Sequence, residues 1–127
     1  MPEAKSYSGS CHCGAIAYTV EVDTAQALKC NCSICTKLGS LCGYCAPEDF
    51  AIVQGEDALS SYCWGDRMLD FRFCSHCGCH VHWQARPERL AECFPEGTPH
   101  KIGFNARLID GIERGTLKTV DWDGRNA

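Results

Sequence analysis

The chain has no apolar run approaching the length of a membrane span, so no membrane partner is expected. It also lacks a basic block or stripe. Twelve Lys and Arg stand against sixteen Asp and Glu, a formal net charge of −4, which disfavours nucleic acid as a partner. The first ten residues, MPEAKSYSGS, contain neither the apolar h-region nor the cleavage site of a secretory signal. No repeat, low-complexity segment or linker interrupts the sequence, and residues 1–127 are expected to form a single domain.

Against these absences stands an abundance of cysteine, 12 in 127 residues. Such a count in a short chain means a disulfide scaffold or metal sites. Cys-x-Cys pairs such as Cys11/Cys13 and Cys30/Cys32 are poor intramolecular disulfide partners, because the geometry a disulfide demands is hard to meet at that spacing. With no export signal in view, a reduced, cytoplasmic metalloprotein is the expectation.

The dominant hydrophobic period is two, which indicates strands. In AIAYTVEV (15–22), Ile16, Tyr18, Val20 and Val22 fall on one face; in MLDFRF (68–73), Leu69, Phe71 and Phe73 do. CHVHWQ (79–84) alternates Val81 and Trp83 against His80 and His82. FAIV (50–53), LSSYCW (59–64) and HKIGF (100–104) are further short strands, with Gly, Pro and acidic turns between them. A short helix is expected at SICTKLG (33–39), with Ser33 as N-cap and Gly39 as its stop. PERLAECFPEGTP (87–99) reads as a loop with at most one short helix. The expected fold class is mainly β and mostly antiparallel.

Two cysteine groups share a grammar: Cys11-His12-Cys13-Gly14 and Cys74-Ser75-His76-Cys77-Gly78 both end in Cys-Gly. A glycine after the second ligand permits the positive φ that curls backbone N–H groups toward sulfur. Cys11, Cys13, Cys74 and Cys77 together make the closed four-thiolate set of a structural zinc. KCNCSIC (29–35) differs, because Cys35 is followed by Thr36 and runs straight into the helical turn. Cys30, Cys32 and Cys35 can hold a second zinc and leave one position for water or substrate. Cys42 or Cys45 could close it, but in an extended GSLCGYCAP they face opposite ways, and both read better as small buried hydrophobes. Three thiolates make zinc a weak Lewis acid, so exchange of the open position for a substrate thiol is favoured over hydrolysis.

GSCHCG (9–14), CNCSIC (30–35), G-x-x-x-L-x-x-Y from Gly55 to Tyr62, and F-C-x-x-C-G (73–78) together resemble the glutathione-dependent formaldehyde-activating family, also called the CENP-V/GFA domain. The resemblance spans roughly residues 6–112. It implies an Mss4-like β fold, a structural zinc at Cys11, Cys13, Cys74 and Cys77, and a second zinc at Cys30, Cys32 and Cys35. It also implies a carbon–sulfur lyase that joins formaldehyde to glutathione, giving S-hydroxymethylglutathione, or runs in reverse. Cys79 stands where a small residue such as threonine is expected, and Cys42, Cys45, Cys63 and Cys93 lie outside the motifs.

The implied reaction needs an acid or base near the second zinc, for which Tyr44 and Asp49 are close enough in sequence. A glutathione-like substrate carries two carboxylates, and Lys37, Arg67 and Arg107 are the available cations. His12 and His76 should point outward from the cysteine turns, and a structural or exposed role is expected for His80 and His82 as well. Trp64 and Trp83 are core or pocket wall. The rival readings are a non-enzymatic zinc-stabilised binding module and a thiol or redox sensor using Cys42 and Cys45 as a pair.

Overall fold

Alternating strands separated by tight turns can bury an apolar face only by stacking one sheet on another. The computed structural model describes residues 5–22, 26–63, 69–86, 102–111 and 118–123, and among them does this with ten strands in two sheets. In chain order the elements are β1 (Lys5–Ser10), β2 (Ala17–Val22), β3 (Gln26–Cys30), helix α1 (Ser33–Leu38), β4 (Cys42–Cys45), β5 (Phe50–Gln54) and β6 (Leu59–Tyr62). They continue with β7 (Leu69–Cys74), β8 (His80–Ala85), β9 (Ile102–Asn105) and β10 (Lys118–Trp122). The small sheet has the order β1-β2-β5 and the large one β10-β3-β4-β9-β8-β7-β6.

The protein is therefore mainly β, and its pairings are antiparallel with one exception: β10 lies parallel to β3. The strands read from sequence are all present, with ends moved by one or two residues, while β1, β3 and β10 carry too little alternation to stand out. The expected loop at 87–99, together with Trp64, Arg67 and Cys93, lies outside the described residues. No helix among the described residues is long and apolar enough to cross a membrane.

Between the sheets sits the main core. From β2 come Tyr18 and Val20, and from the facing sheet Cys45, Val81 and Phe104. Burying each large side chain contributes roughly 1.5–3 kcal/mol. Tyr18 is buried to its hydroxyl, which donates to the Asn105 carbonyl at 2.7 Å. A second, smaller cluster joins Cys42, Phe71 and Trp83, with Cys30, Ile34 and Cys35 packed against it. This cluster backs the 30/32/35 thiols.

The cap of helix α1 lies one residue earlier than expected. Thr36 N–H donates to the Cys32 carbonyl at 2.9 Å, so the first helical bond closes on Cys32, and Cys32 rather than Ser33 is the N-cap. The cap makes no side-chain hydrogen bond. Gly39 ends the helix in the left-handed region, as expected.

The strict alternation of β8 does not hold. His80 pairs with Phe73 and His82 with Arg72, so β8 spends two steps on one step of β7 and Val81 is the extra residue of a bulge. His80 therefore turns toward the smaller cluster, 5.8 Å from the Phe71 ring and 5.3 Å from Trp83. His82 turns toward the main core, where it lies 5.1 Å from Phe50. The two histidines do not share a face, and both are buried.

Candidate functional site

The first cysteine group is assembled by two turns. Gly14 and Gly78 both adopt φ of 81°, the conformation that allows each turn to fold back over its sulfur. Ile16 N–H points at Cys11 Sγ at 3.3 Å, and the N–H groups of His76 and Cys77 both reach Cys74 Sγ at 3.4 Å. Backbone N–H groups of Cys79 and Cys13 pull the Cys77 thiol down to about 5, well into the thiolate form at neutral pH. Cys11, Cys13, Cys74 and Cys77 lie within 4.8 Å of one another and can hold a metal ion. A tetrahedral zinc with Zn–S bonds of about 2.3 Å separates its sulfurs by about 3.8 Å. Cys11 to Cys13 is 3.6 Å and Cys13 to Cys74 is 3.7 Å, so the donor set fits that ion. His12 and His76 are exposed, as expected of residues between ligands.

The second group sits where β3 meets α1. Cys30 ends the strand, Cys32 caps the helix, and Cys35 lies one turn in, which brings the three sulfurs within 4.8 Å of one another. This triad can also hold a metal. Cys32 N–H approaches Cys30 Sγ at 3.5 Å, while burial pushes the Cys30 thiol up to about 11. Cys42 is more than a buried hydrophobe: its Sγ lies 3.7 Å from Cys35 Sγ, although the mutually close group stops at three thiols. Hydrogen bonding between that pair lowers Cys42 and raises Cys35. Cys45 faces the main core from the other side of β4. Three residues of strand span about 10 Å, beyond the reach of a disulfide, so Cys42 and Cys45 are not placed to act as a redox pair. All eleven cysteines among the described residues are free thiols.

Beside the second triad opens a cavity of about 470 Å³. Cys30 and Cys35 line it together with Lys29, Ser40, Arg107 and Asp121.

A family model described as glutathione-dependent formaldehyde-activating enzyme matches residues 6–103, most of the chain and both cysteine groups. The chain belongs to that family. The crystal structure of a Rhodobacter sphaeroides protein is similar to it, with a TM-score of 0.67 and 28% identity. That match covers 89% of this chain and 99% of the other.

In this member of the glutathione-dependent formaldehyde-activating family, the expected site residues divide. Arg107, on a 3-10 turn after β9, lines the cavity; its Nε donates to the Gly39 carbonyl at 2.8 Å, tying it to the end of the helix that carries Cys35. Lys37 is exposed on α1 and does not line the cavity. Tyr44 shares a strand face with Cys42 but rests edge-on against Trp83, 5.8 Å away, and burial raises its hydroxyl further above the ordinary range. Asp49 acts electrostatically on Cys45, at the far face of β4.

Lys29, Ser40 and Asp121 are among the cavity residues that sequence pattern did not mark. Lys29 and Asp121 face each other across the parallel β3–β10 pair, a contact between segments about ninety residues apart with no local signal. Ser40 donates to or accepts from His80 Nδ1 at 2.7 Å, and both residues are buried. A lone serine after a helix stop carries no pattern that marks it.

Proposed function

We propose that the protein is a zinc-dependent carbon–sulfur lyase that makes or breaks the bond between a small thiol such as glutathione and an aldehyde such as formaldehyde. What carries this reading is the gathering of Cys30, Cys32 and Cys35 beside a cavity that Cys30 and Cys35 line and whose wall bears charges of both signs. Zinc bound by those three thiols would supply a coordination position at which a substrate thiol is held as thiolate, its nucleophilic form at neutral pH. The Cys11, Cys13, Cys74 and Cys77 set would hold a structural zinc that ties the β1–β2 turn to the β7–β8 turn and offsets the closure entropy of the long loop between them. A reducing compartment, the cytoplasm, suits a chain with so many free thiols.

The cavity wall matches a substrate carrying both charges. Arg107 would take a carboxylate, with the Gly39 bond fixing the plane of its guanidinium, and Lys29 would take a second. Asp121, opposite Lys29, would meet the substrate's ammonium. The reaction is tested by exchange NMR of glutathione with formaldehyde, read against the same mixture without protein. A rate equal to the protein-free rate, for glutathione and other small thiols, ends the lyase reading. Replacement Arg107→Ala should raise KM for glutathione about tenfold or more, the loss of one charge-assisted hydrogen bond. It should leave KM for 2-mercaptoethanol, which has no carboxylate, within twofold.

Metal content separates the enzyme from a binding module. The wild-type protein should carry two zinc ions per chain, Cys32→Ser should lose one and stay folded, and Cys42→Ser should keep both. A single zinc in the wild-type protein favours the binding module instead, and loss of a zinc from Cys42→Ser means that the second site is closed by a fourth thiol.

A further inference from the structure

Addition of a thiol to an aldehyde moves one proton from sulfur to oxygen, and something must carry it. Of the two groups expected from sequence, Tyr44 and Asp49, neither lines the cavity. Ser40 does. Its hydroxyl lies 2.7 Å from His80 Nδ1, and the two residues are 4% and 6% exposed.

The surroundings hold this pair rigidly. Trp83 stacks on the imidazole at 5.3 Å with an interplanar angle of 18°, and Phe71 lies against it at 5.8 Å. Asn105 Nδ2 donates to the His80 carbonyl at 2.9 Å, while Asn105 Oδ1 accepts from Leu41 N–H at 3.2 Å, so one side chain ties the backbone of His80 to the residue after Ser40. The bulge at Val81 is what turns His80 to this side. Yet His80 Nε2 is buried with no hydrogen-bond partner among the described residues. A buried polar atom left unpaired is destabilising, so an imidazole is a poor choice for packing alone.

We propose that Ser40 exchanges the proton with the reacting oxygen and that His80, acting through Ser40, stores it. This rests on the lyase reading above. In the direction of synthesis, the substrate S–H bond breaks, its proton passes to Ser40 Oγ, and the Ser40 proton passes to His80 Nδ1. The sulfur lone pair forms the S–C bond, and the π pair of the carbonyl moves to oxygen. That oxygen takes a proton from Ser40 Oγ while His80 Nδ1 returns its own to Ser40. His80 ends neutral, and no oxidant or reductant is consumed. Cleavage of the adduct is the same path reversed. Burial holds His80 down to about 4, so it gives the stored proton up readily once the reacting oxygen gains charge.

The test compares wild-type protein with Ser40→Ala, Ser40→Thr and His80→Asn, the last placing an amide where Nδ1 stood. The expected result is exchange slowed about 10²-fold or more in Ser40→Ala and His80→Asn, with zinc content and calorimetric glutathione affinity within twofold of wild type. Ser40→Thr, which keeps the hydroxyl, should restore most of the rate. A second readout uses the wild-type protein alone: the ¹⁵N shift of His80 Nδ1 should move when glutathione binds, and should not move with S-methylglutathione, which brings no thiol proton. No movement with glutathione overturns the relay, whether or not any variant folds. Wild-type acceleration retained in folded Ser40→Ala and His80→Asn also overturns the relay and leaves the lyase reading standing. A wild-type rate equal to the protein-free rate removes both.

Discussion

Asn105 shows how much one side chain can organise. It is 5% exposed, and its amide serves three backbone groups: the His80 carbonyl at 2.9 Å, Leu41 N–H at 3.2 Å and Arg107 N–H at 3.1 Å. Those groups lie on the strand that bears His80, in the segment that bears Ser40, and on the turn that bears Arg107. A carboxamide is needed because the position must both donate and accept. Replacement Asn105→Ala leaves a buried carbonyl and two N–H groups without partners, each costing roughly 1–3 kcal/mol where water cannot reach. Urea denaturation should show a loss of about 3–4 kcal/mol, and a loss below about 1 kcal/mol would mean that solvent replaces the amide. Asn105→Asp should fall between, since a carboxylate keeps the two acceptor bonds and loses the donor.

At the scale of elements, two glycines decide how the central strands of the large sheet lie. A Cβ on Gly103 of β9 would stand 2.0 Å from Trp83 Cε2 on β8, and one on Gly43 of β4 would stand 2.3 Å from the Phe104 ring on β9. In each case an aromatic side chain lies flat across the neighbouring strand in the space that a side chain would take. Trp83 in turn supports both His80 and Tyr44. Gly103→Ala should therefore cost about 2–3 kcal/mol by overpacking. The cost should shrink in a Trp83→Leu background, and a double-mutant cycle on denaturation free energies measures that coupling. Independent, additive losses would place the strain elsewhere. Sequence pattern reached part of this architecture. The cysteine motifs and the alternation of β2 and β7 depend on residues close in the chain, so both cysteine groups and most strands could be read directly. The bulge at Val81 inserts one residue into β8 without changing its alternating pattern, so His80 and His82 look like one face and are two. Ser40 meets His80 across forty residues, and Asp121 meets Lys29 through a parallel pairing of β10 that no hairpin signal announces.

For the whole molecule, those two buried imidazoles make stability depend on pH. Burial lowers His80 and His82 to about 4, with the Arg72 charge adding to the effect at His82. Both rings are neutral in the folded protein at pH 7, whereas in the unfolded chain they take up protons near pH 6.5. As pH falls below about 6.5, the unfolded state binds protons that the folded state refuses, and folding weakens until the folded rings also titrate near 4. Each shift is worth up to about 3 kcal/mol across that window, and the contribution is neutral above it. Acid also releases metal from thiolates, so the slope of the wild-type curve alone does not isolate the histidines. His82→Leu does, because it removes one titrating ring from the main core and leaves both cysteine groups as they were. Denaturation free energies measured at pH 7, 6 and 5 should fall less steeply in His82→Leu, by roughly 0.7 kcal/mol between pH 7 and 6 and about 1.2 kcal/mol between pH 6 and 5, approaching one proton's worth. Parallel curves for the two proteins would mean that His82 already binds its proton in the folded state.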